Sequence, residues 1–441
     1  MDPERSLFRK DIVGWSLYDF ANTIYAMNIT SLYLKRYIVE DLGKDDRYFD
    51  IPYSISMLLA ALFLPALGAM SDQSTKKKLF LFLFTLTCCS AVGFMSFIPP
   101  GLLAVTIVLF IAANFAYEAG QPFYNALLYS VAEGRQARFV SGIGVALGYV
   151  GAILGIVLVL PFVTGSIFSL DVPFLEGGDK VAAYLPTAVL FMLFALPLFV
   201  WVKEAPVTTR GPANWRAAYR DVWEGIRMTK RYPGVLRYLI ADYFFEDAVA
   251  TVIINMSIFL SVVVSLAEQE IQTFLLITPI AAVIGSFLIG KIAQYWSLKR
   301  LVNLIVTGWV LTLLLFVFAQ SMTLIWVLGC VVGVLLGGLW TTTRPLLAEM
   351  VPRAELGRFF GLFALSGRAA AVIGPLVWTV VVYFFNPSRP LGRAAVEFFG
   401  IRDMDQARLP YRLGVMSLAL MMLVGLYLFR KVPVPAERND G

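Results

Sequence analysis

Long apolar runs separated by short polar turns dominate this chain. The runs 51–71, 79–97, 101–116, 142–163, 184–202 and 303–319 each approach or exceed the roughly 20 residues an α-helix needs to cross a bilayer. With shorter and polar-interrupted runs included, the pattern predicts spans near 12–37, 51–71, 78–97, 101–131, 139–165, 182–202, 235–265, 271–293, 300–319, 321–350, 358–385 and 412–430. The expected fold is an all-α integral, multi-pass membrane protein of twelve transmembrane helices. Composition points the same way: the 441 residues are 59% hydrophobic and 15% charged, whereas a soluble domain carries about a quarter charged residues.

Orientation follows from the basic residues. Asp2, Glu4, Arg5, Arg9 and Lys10 crowd the N-terminus with no small-residue cleavage site behind them, so the first span reads as retained. Lys and Arg concentrate in the loops that are cytoplasmic when both termini are inside, although the outside loop 386–411 is discordantly rich in arginine. This bias accounts for the net charge of +6 without a nucleic-acid partner, and it suits a cell inner (plasma) membrane. Cys88, Cys89 and Cys330 fall inside predicted spans and read as small apolar residues.

The chain is written twice. Asp19 in LYDFAN and Asp242 in IADYFF lie 223 residues apart, as do Pro122 and Pro345, and Gly151 and Gly374; Gly68 and Gly290 lie 222 apart. Landmarks at one offset near half the length predict two pseudo-symmetric six-helix halves, 1–203 and 235–441, related as parallel repeats. The connector 204–234 is the most basic cytoplasmic segment. Pro206, Gly211 and Pro212 interrupt it, and then Trp215, Tyr219, Val222, Trp223 and Ile226 recur at helical spacing with Arg216, Arg220 and Arg227 on other faces. It reads as an amphipathic helix on the inner leaflet whose first role is to tether the halves.

Between spans two and three, GAMSDQSTKKK places Gly68, Asp72, Lys76, Lys77 and Lys78 in a short turn. Gly68 permits close helix contact, Asp72 can meet a helix N-terminus or an arginine, and the lysines fix the turn at the inner surface. Gly68, Asp72, Lys76 and Lys77 form a candidate conformational latch. The stretch resembles the signature loop of the major facilitator superfamily, G-x-x-x-D-x-x-x-R/K-R/K, with Thr75 where glycine is usual. The second copy, GKIAQYWSLKR, has Gln294 in place of the aspartate. GWSLYDFANT, FYNALL followed by SGIGVALGYVG, GGLWTTTRPLLAEM and FFGLFALSGRAAAVIGP resemble the Unknown Major Facilitator family, which is related to the fungal vacuolar amino-acid effluxers of autophagy. The resemblance implies the major facilitator fold, with spans one, four, seven and ten lining a central cavity, and a transport function that hints at amino-acid efflux. Thr343-Arg344-Pro345 departs from it, because a serine is expected beside the arginine.

Polar residues collect in those same four spans. The first holds Tyr18, Asp19, Asn22 and Tyr25, and the fourth holds Glu118, Gln121 and Asn125 flanked by Tyr117 and Tyr124. The seventh holds Asp242, Glu246, Asp247 and Asn255, and the tenth Trp340, Thr341 and Arg344. Helical spacing aligns most of each set on one face. Intramembrane ionisable groups are expensive and mark functional sites. The acids Asp19, Glu118, Asp242, Glu246 and Asp247 have only Arg344 and Arg368 as counterparts away from the span ends. An excess of acid suits a cationic or zwitterionic substrate, or coupling protons, which carboxylates must carry because the chain has no histidine. Arg344 is suited to bidentate binding of a substrate carboxylate. The alternative for each of these charges is a structural ion pair or helix contact. Gly144, Gly148, Gly151 and Gly155, with Gly333 and Gly337, read as helix-packing surfaces.

The expected function is secondary transport of a small polar solute, such as an amino acid or another zwitterion, by alternating access with protons as a coupling ion. Expected partners are that substrate, protons and membrane lipids, around a monomer. No phosphate-binding loop or metal-ligand spacing points to an enzyme, a metal or a cofactor. Export of drugs or amphiphiles, lipid flipping, and a receptor or scaffold role are the alternatives. Span four lacks the arginine-and-glycine motif of many proton antiporters, and in span five the single Pro161 comes late.

Overall fold

A computed structural model describes residues 9–73, 76–132, 134–167, 170–171, 177–204, 215–293, 295–352, 356–400 and 406–433. The chain divides into two compact units, Met1–Ala218 and Tyr219–Gly441.

In the first unit α1 (Lys10–Tyr25) runs on through π-helical turns at Ala26–Tyr33 and Tyr37–Asp41. It is followed by α2 (Arg47–Gln73), α3 (Lys77–Met95), α4 (Leu103–Val131), α5 (Gly134–Thr164) and α6 (Tyr184–Trp201). Between α5 and α6 two short antiparallel strands, β1 (Ser166–Ile167) and β2 (Leu170–Asp171), pair with Ser166 opposite Asp171, a small departure from the all-helical expectation. The helix α7 (Trp215–Met228) contains the division between the units. The second unit holds α8 (Val235–Phe259), α9 (Glu268–Ile292), α10 (Leu298–Phe318), α11 (Met322–Met350), α12 (Leu356–Ala370), α13 (Ile373–Phe384), α14 (Pro390–Phe399) and α15 (Leu409–Arg430).

Among the described residues, 11 helical runs are long and apolar enough to cross a membrane. The run from Lys10 to Asp41 is long enough but not among them, because Asp11, Asp19, Asn22, Asn28, Lys35 and Arg36 dilute its hydropathy. The single helix expected over 358–385 is instead α12 and α13, broken at residues 371–372. Pro375 has no N–H to offer the carbonyl of Ala371, so the first helix cannot run through it unperturbed. The arginine-rich loop 386–411 contains α14, which the hydropathy pattern did not announce.

The two units pack their helices by the same pairings. In the first, α1 lies on α5 and α6, α4 on α2 and α3, and α3 on α6. In the second, α8 lies on α12, α13 and α15, α11 on α9 and α10, and α10 on α15. Glycines make the closest approaches possible. A Cβ on Gly151 would stand 2.2 Å from the Phe20 carbonyl oxygen, and one on Gly337 2.1 Å from that of Ala282. These positions act as packing surfaces, as their spacing predicts. Gly68 differs: a Cβ there would meet no atom within 4 Å among the described residues. A π-helical turn closes α1 at Tyr37–Asp41 and another follows α8 at Leu260–Val264, again 223 residues apart.

One cluster in the first unit escaped the hydropathy reading. The Lys35 ammonium lies 2.8 Å from Asp46 and 2.9 Å from Asp50, with the lysine and Asp50 side chains fully buried. Arg36 continues the network to Glu40 at 3.1 Å, and Lys180, just before α6, meets Glu40 at 3.1 Å and Asp41 at 2.5 Å. This ties the end of α1 to the starts of α2 and α6. Removing one partner of a buried ion pair strands the other charge. Lys35→Met is therefore expected to lower unfolding free energy by about 3–5 kcal/mol, read from chemical unfolding in detergent; an unchanged midpoint would show that the triad does not hold this end together.

Candidate substrate site

The second unit gathers two acids and two guanidinium groups from three helices. Asp242 and Glu246 stand one turn apart on α8. Asp242 is 1% exposed, and neither of its carboxyl oxygens has a hydrogen-bond partner among the described residues. Glu246 and Arg344 of α11 lie close enough to act on it electrostatically. Glu246 accepts a hydrogen bond of 3.2 Å from the Trp340 indole N–H and also feels Arg344 and Arg368, the latter from α12. One turn before Asp242, the buried Tyr238 hydroxyl donates to the Thr343 carbonyl oxygen at 2.6 Å, which anchors α8 against the backbone immediately before Arg344. Arg344 itself is exposed in the folded chain. The structure thus brings together Asp242, Glu246, Trp340, Arg344 and Arg368.

Asp247 sits apart from them chemically. Successive residues on a helix point about 100° apart, and this carboxylate is turned to the break between α12 and α13. Its Oδ1 accepts the Gly374 N–H at 2.7 Å. The first N–H groups of any helix lack intrahelical acceptors, and a carboxylate there is a capping group. Asn255 likewise turns back on its own helix, donating to the Thr251 carbonyl at 2.9 Å.

The first unit's polar residues divide similarly. Asp19 receives a long 3.4 Å contact from the Asn22 amide, and the Tyr124 hydroxyl stands beside it. The Tyr124 ring stacks on Trp15 and Tyr18, with centroids 4.7 Å and 4.9 Å away, and Trp15 Nε1 donates to the Tyr124 carbonyl at 3.1 Å. Space for Asp19 comes from Gly144, where a Cβ would lie 3.0 Å from its Oδ2. Tyr25 points into a structural chain instead: its hydroxyl donates to Asn114 at 3.2 Å, and Asn114 donates to Ser56 at 2.8 Å. Glu118 is buried near Tyr25, Gln121 is half-buried and Asn125 is exposed.

At the latch, the Asp72 side chain and Gln294 lie outside the described residues. Lys76 is exposed. The backbone N–H groups of Lys77 and Lys78 donate to the two oxygens of Glu204 at 2.9 Å and 3.0 Å, and the Lys78 ammonium donates to the Val202 carbonyl at 2.6 Å. Lys299 repeats the last contact in the second unit, donating to the Val432 carbonyl at 2.5 Å. Glu204, Asn114, Trp15 and Tyr238 are the residues that sequence reasoning missed. The repeat itself held a signal for two of them, since Trp15 and Tyr238 are 223 apart, as are Gln121 and Arg344.

Similarity to known proteins agrees with this fold. Residues 48–390 match the family described as vacuole effluxer Atg22 like. The chain belongs to this family. Among relatives of this Atg22-like protein, the MFS-type transporter YxiO of Bacillus subtilis is 23% identical over 388 residues, covering 86% of this chain and 90% of that one. Autophagy-related protein 22-1 of Neosartorya fischeri is 23% identical over 281 residues, which cover 57% of this chain and 44% of the fungal protein. Among solved structures, a bacterial homolog of the human lysosomal transporter Spinster aligns with a TM-score of 0.73 at 13% identity, covering 95% of each chain. The nucleoside transporter NupG aligns at 0.68 and 14% identity, over 95% of this chain and 99% of that one. At such identities the likeness establishes the fold. The Atg22-like chain is a multi-pass membrane transporter of the major facilitator type.

The cap geometry at Asp247 separates a helix contact from a ligand contact. Asp247→Ala is expected to cost about 1–2 kcal/mol of stability as a lost cap, whereas Asp247→Asn keeps an acceptor for the Gly374 N–H and should retain most of it. Melting curves of both variants in detergent check this, and equal losses would show that the charge rather than the cap matters.

Proposed function

We propose that this transporter exports a small zwitterion, an amino acid or a close relative, by alternating access. Arg344 takes the carboxylate, and the Asp242–Glu246 pair takes the amine. The observation that carries this reading is the meeting of Arg344 with two carboxylates and the Trp340 N–H inside one unit, where both oxygens of the buried Asp242 lack a hydrogen bond among the described residues. A buried carboxylate without such bonds gains from a ligand cation or from a proton. The fungal relative's name, autophagy-related protein 22-1, and the effluxer description of the family favour outward movement of such solutes. Asp19, held by Asn22 and facing Tyr124, is assigned the coupling proton, with Glu118 as its nearest alternative in α4. In this reading the run Lys10 to Asp41 is the twelfth span, 1–203 and 235–441 are the repeated halves, and both termini are cytoplasmic. The protein then works as a monomer in the plasma membrane.

Counterflow of radiolabelled amino acids in proteoliposomes, with and without a pH gradient, tests the substrate class. Movement of at least one amino acid is expected; movement of labelled lipids alone would transfer the protein to amphiphile export. Arg344→Lys keeps the charge and loses the planar fork. A charge-assisted hydrogen bond contributes about 1.5–3 kcal/mol, so affinity should fall roughly tenfold or more, and an unaltered affinity would return Arg344 to a structural role.

Asp19→Asn should preserve counterflow while abolishing the stimulation by a pH gradient. Stimulation at the wild-type level would remove Asp19 from coupling.

A further inference from the structure

The helix α7 carries a surface that the transport reading does not use. Trp215, Tyr219, Trp223 and Ile226 form one stripe along it, and each is between 41% and 56% exposed. At about 100° per residue, the other side chains sort into adjoining stripes. Ala218, Val222, Gly225 and Thr229 lie on one flank of the aromatic stripe and are the less exposed positions. Arg216, Arg220 and Arg227 line the other flank. Asp221 and Glu224 fall on the remaining side, away from the aromatics. The order around the helix is therefore sheltered, aromatic, basic, acidic.

A plain tether does not require this order. Four large apolar side chains left about half-exposed to water forgo part of the free energy that full burial would give them. Tryptophan and tyrosine favour the level of lipid headgroups, where the ring is apolar and the polar tip stays wet. Location fits as well: α7 passes through a single turn at Thr229–Arg231 and reaches Val235, the first residue of a candidate membrane span. Between Trp215 and Arg231 there are five cations, with Lys230 and Arg231 at the end nearest the span, against two acids. Arg227 also lies over the Trp223 ring, 5.4 Å from its centroid, so cation and aromatic act at one place.

We propose that α7 is a docking surface for anionic lipid, its aromatic stripe seated at the acyl boundary and its arginine stripe on negatively charged headgroups. The inference rests on the membrane location of the chain and is independent of which solute is carried.

The test uses the full-length protein in nanodiscs of phosphatidylcholine containing phosphatidylglycerol, with bromine on the acyl chains of one lipid at a time. The Trp223 signal is the difference between the wild type and Trp223→Phe. A basic side chain near an anionic surface contributes a preference of roughly fivefold. The Trp223 signal is therefore expected to be quenched by brominated phosphatidylglycerol about twofold or more beyond an equal fraction of brominated phosphatidylcholine. The combined variant Arg216→Gln, Arg220→Gln, Arg227→Gln should erase that excess. Equal quenching by both lipids in the wild type would overturn the anionic preference. Quenching by aqueous iodide and by neither lipid would place the helix off the membrane and overturn the proposal entirely.

Discussion

Lipid offers no hydrogen bonds, so a polar group inside a span must find its partner within the protein. Many of the described polar residues meet that demand through contacts with their own or a neighbouring helix. Thr251, Thr307 and Thr342 each donate to the carbonyl one turn back on their own helix. Arg412 donates to the carbonyls of Val317 and Ala319 at the end of α10, and Lys78 and Lys299 do the same for the carbonyls of Val202 and Val432. Lys35 is fully buried and fully engaged by two aspartates. Asp242 stands out against this background because it is as buried as Lys35 yet, among the described residues, neither of its oxygens has a hydrogen bond. The contrast, rather than the mere presence of a charge, separates a site from a strut.

Repetition sharpens the same distinction. Gly151 and Gly374 both bring a helix against a neighbour's backbone, at Phe20 and at Asp247 respectively, and the two units share helix pairings and π-helical turns at a common offset. Where positions at that offset differ in chemistry, the shared helix pairings do not account for the difference. Gln121 answers Arg344, and Thr23 answers Glu246. Lys35 answers Ile258, which is fully buried, so one unit closes that helix end with charge and the other with hydrocarbon. The acid–guanidinium cluster therefore belongs to the second unit's specialisation, and the ion triad to the first unit's stability.

Helices were legible in the sequence because the bilayer imposes an apolar run of known length, and most observed boundaries fall within a few residues of the hydropathy edges. The break at residues 371–372 was not legible from that signal. Hydropathy reports side-chain transfer and is blind to a missing N–H; Pro375 was its only mark. Neighbouring acids misled in a related way. Glu246 and Asp247 are adjacent in sequence, but one meets the Trp340 indole and the other caps α13. Tyr25 shares a stripe with Asn22 yet is committed to Asn114, a lone polar residue in an apolar run that no periodicity flags. Glu204 was hidden for the opposite reason, since a carboxylate in a polar connector carries no signal until its acceptor geometry against Lys77 and Lys78 is seen.

Charge balance is the reason the proposed substrate is a zwitterion and not a simple ion. Arg344 and Arg368 act electrostatically on the two acids, and with both carboxyls ionised the four groups sum to zero. In a medium of low dielectric constant an uncompensated charge is costly. A bound cation or anion would unbalance that sum, whereas a solute with one amine and one carboxylate leaves it unchanged. The same balance limits affinity, because every ion pair made with the solute replaces an electrostatic interaction the cluster already has. A transporter must release what it binds, and a site that trades pairs of similar strength can do so with a small difference in free energy. In the proposed reading Asp242 supplies that difference, because among the described residues its two oxygens have no hydrogen bond for an arriving ammonium to displace.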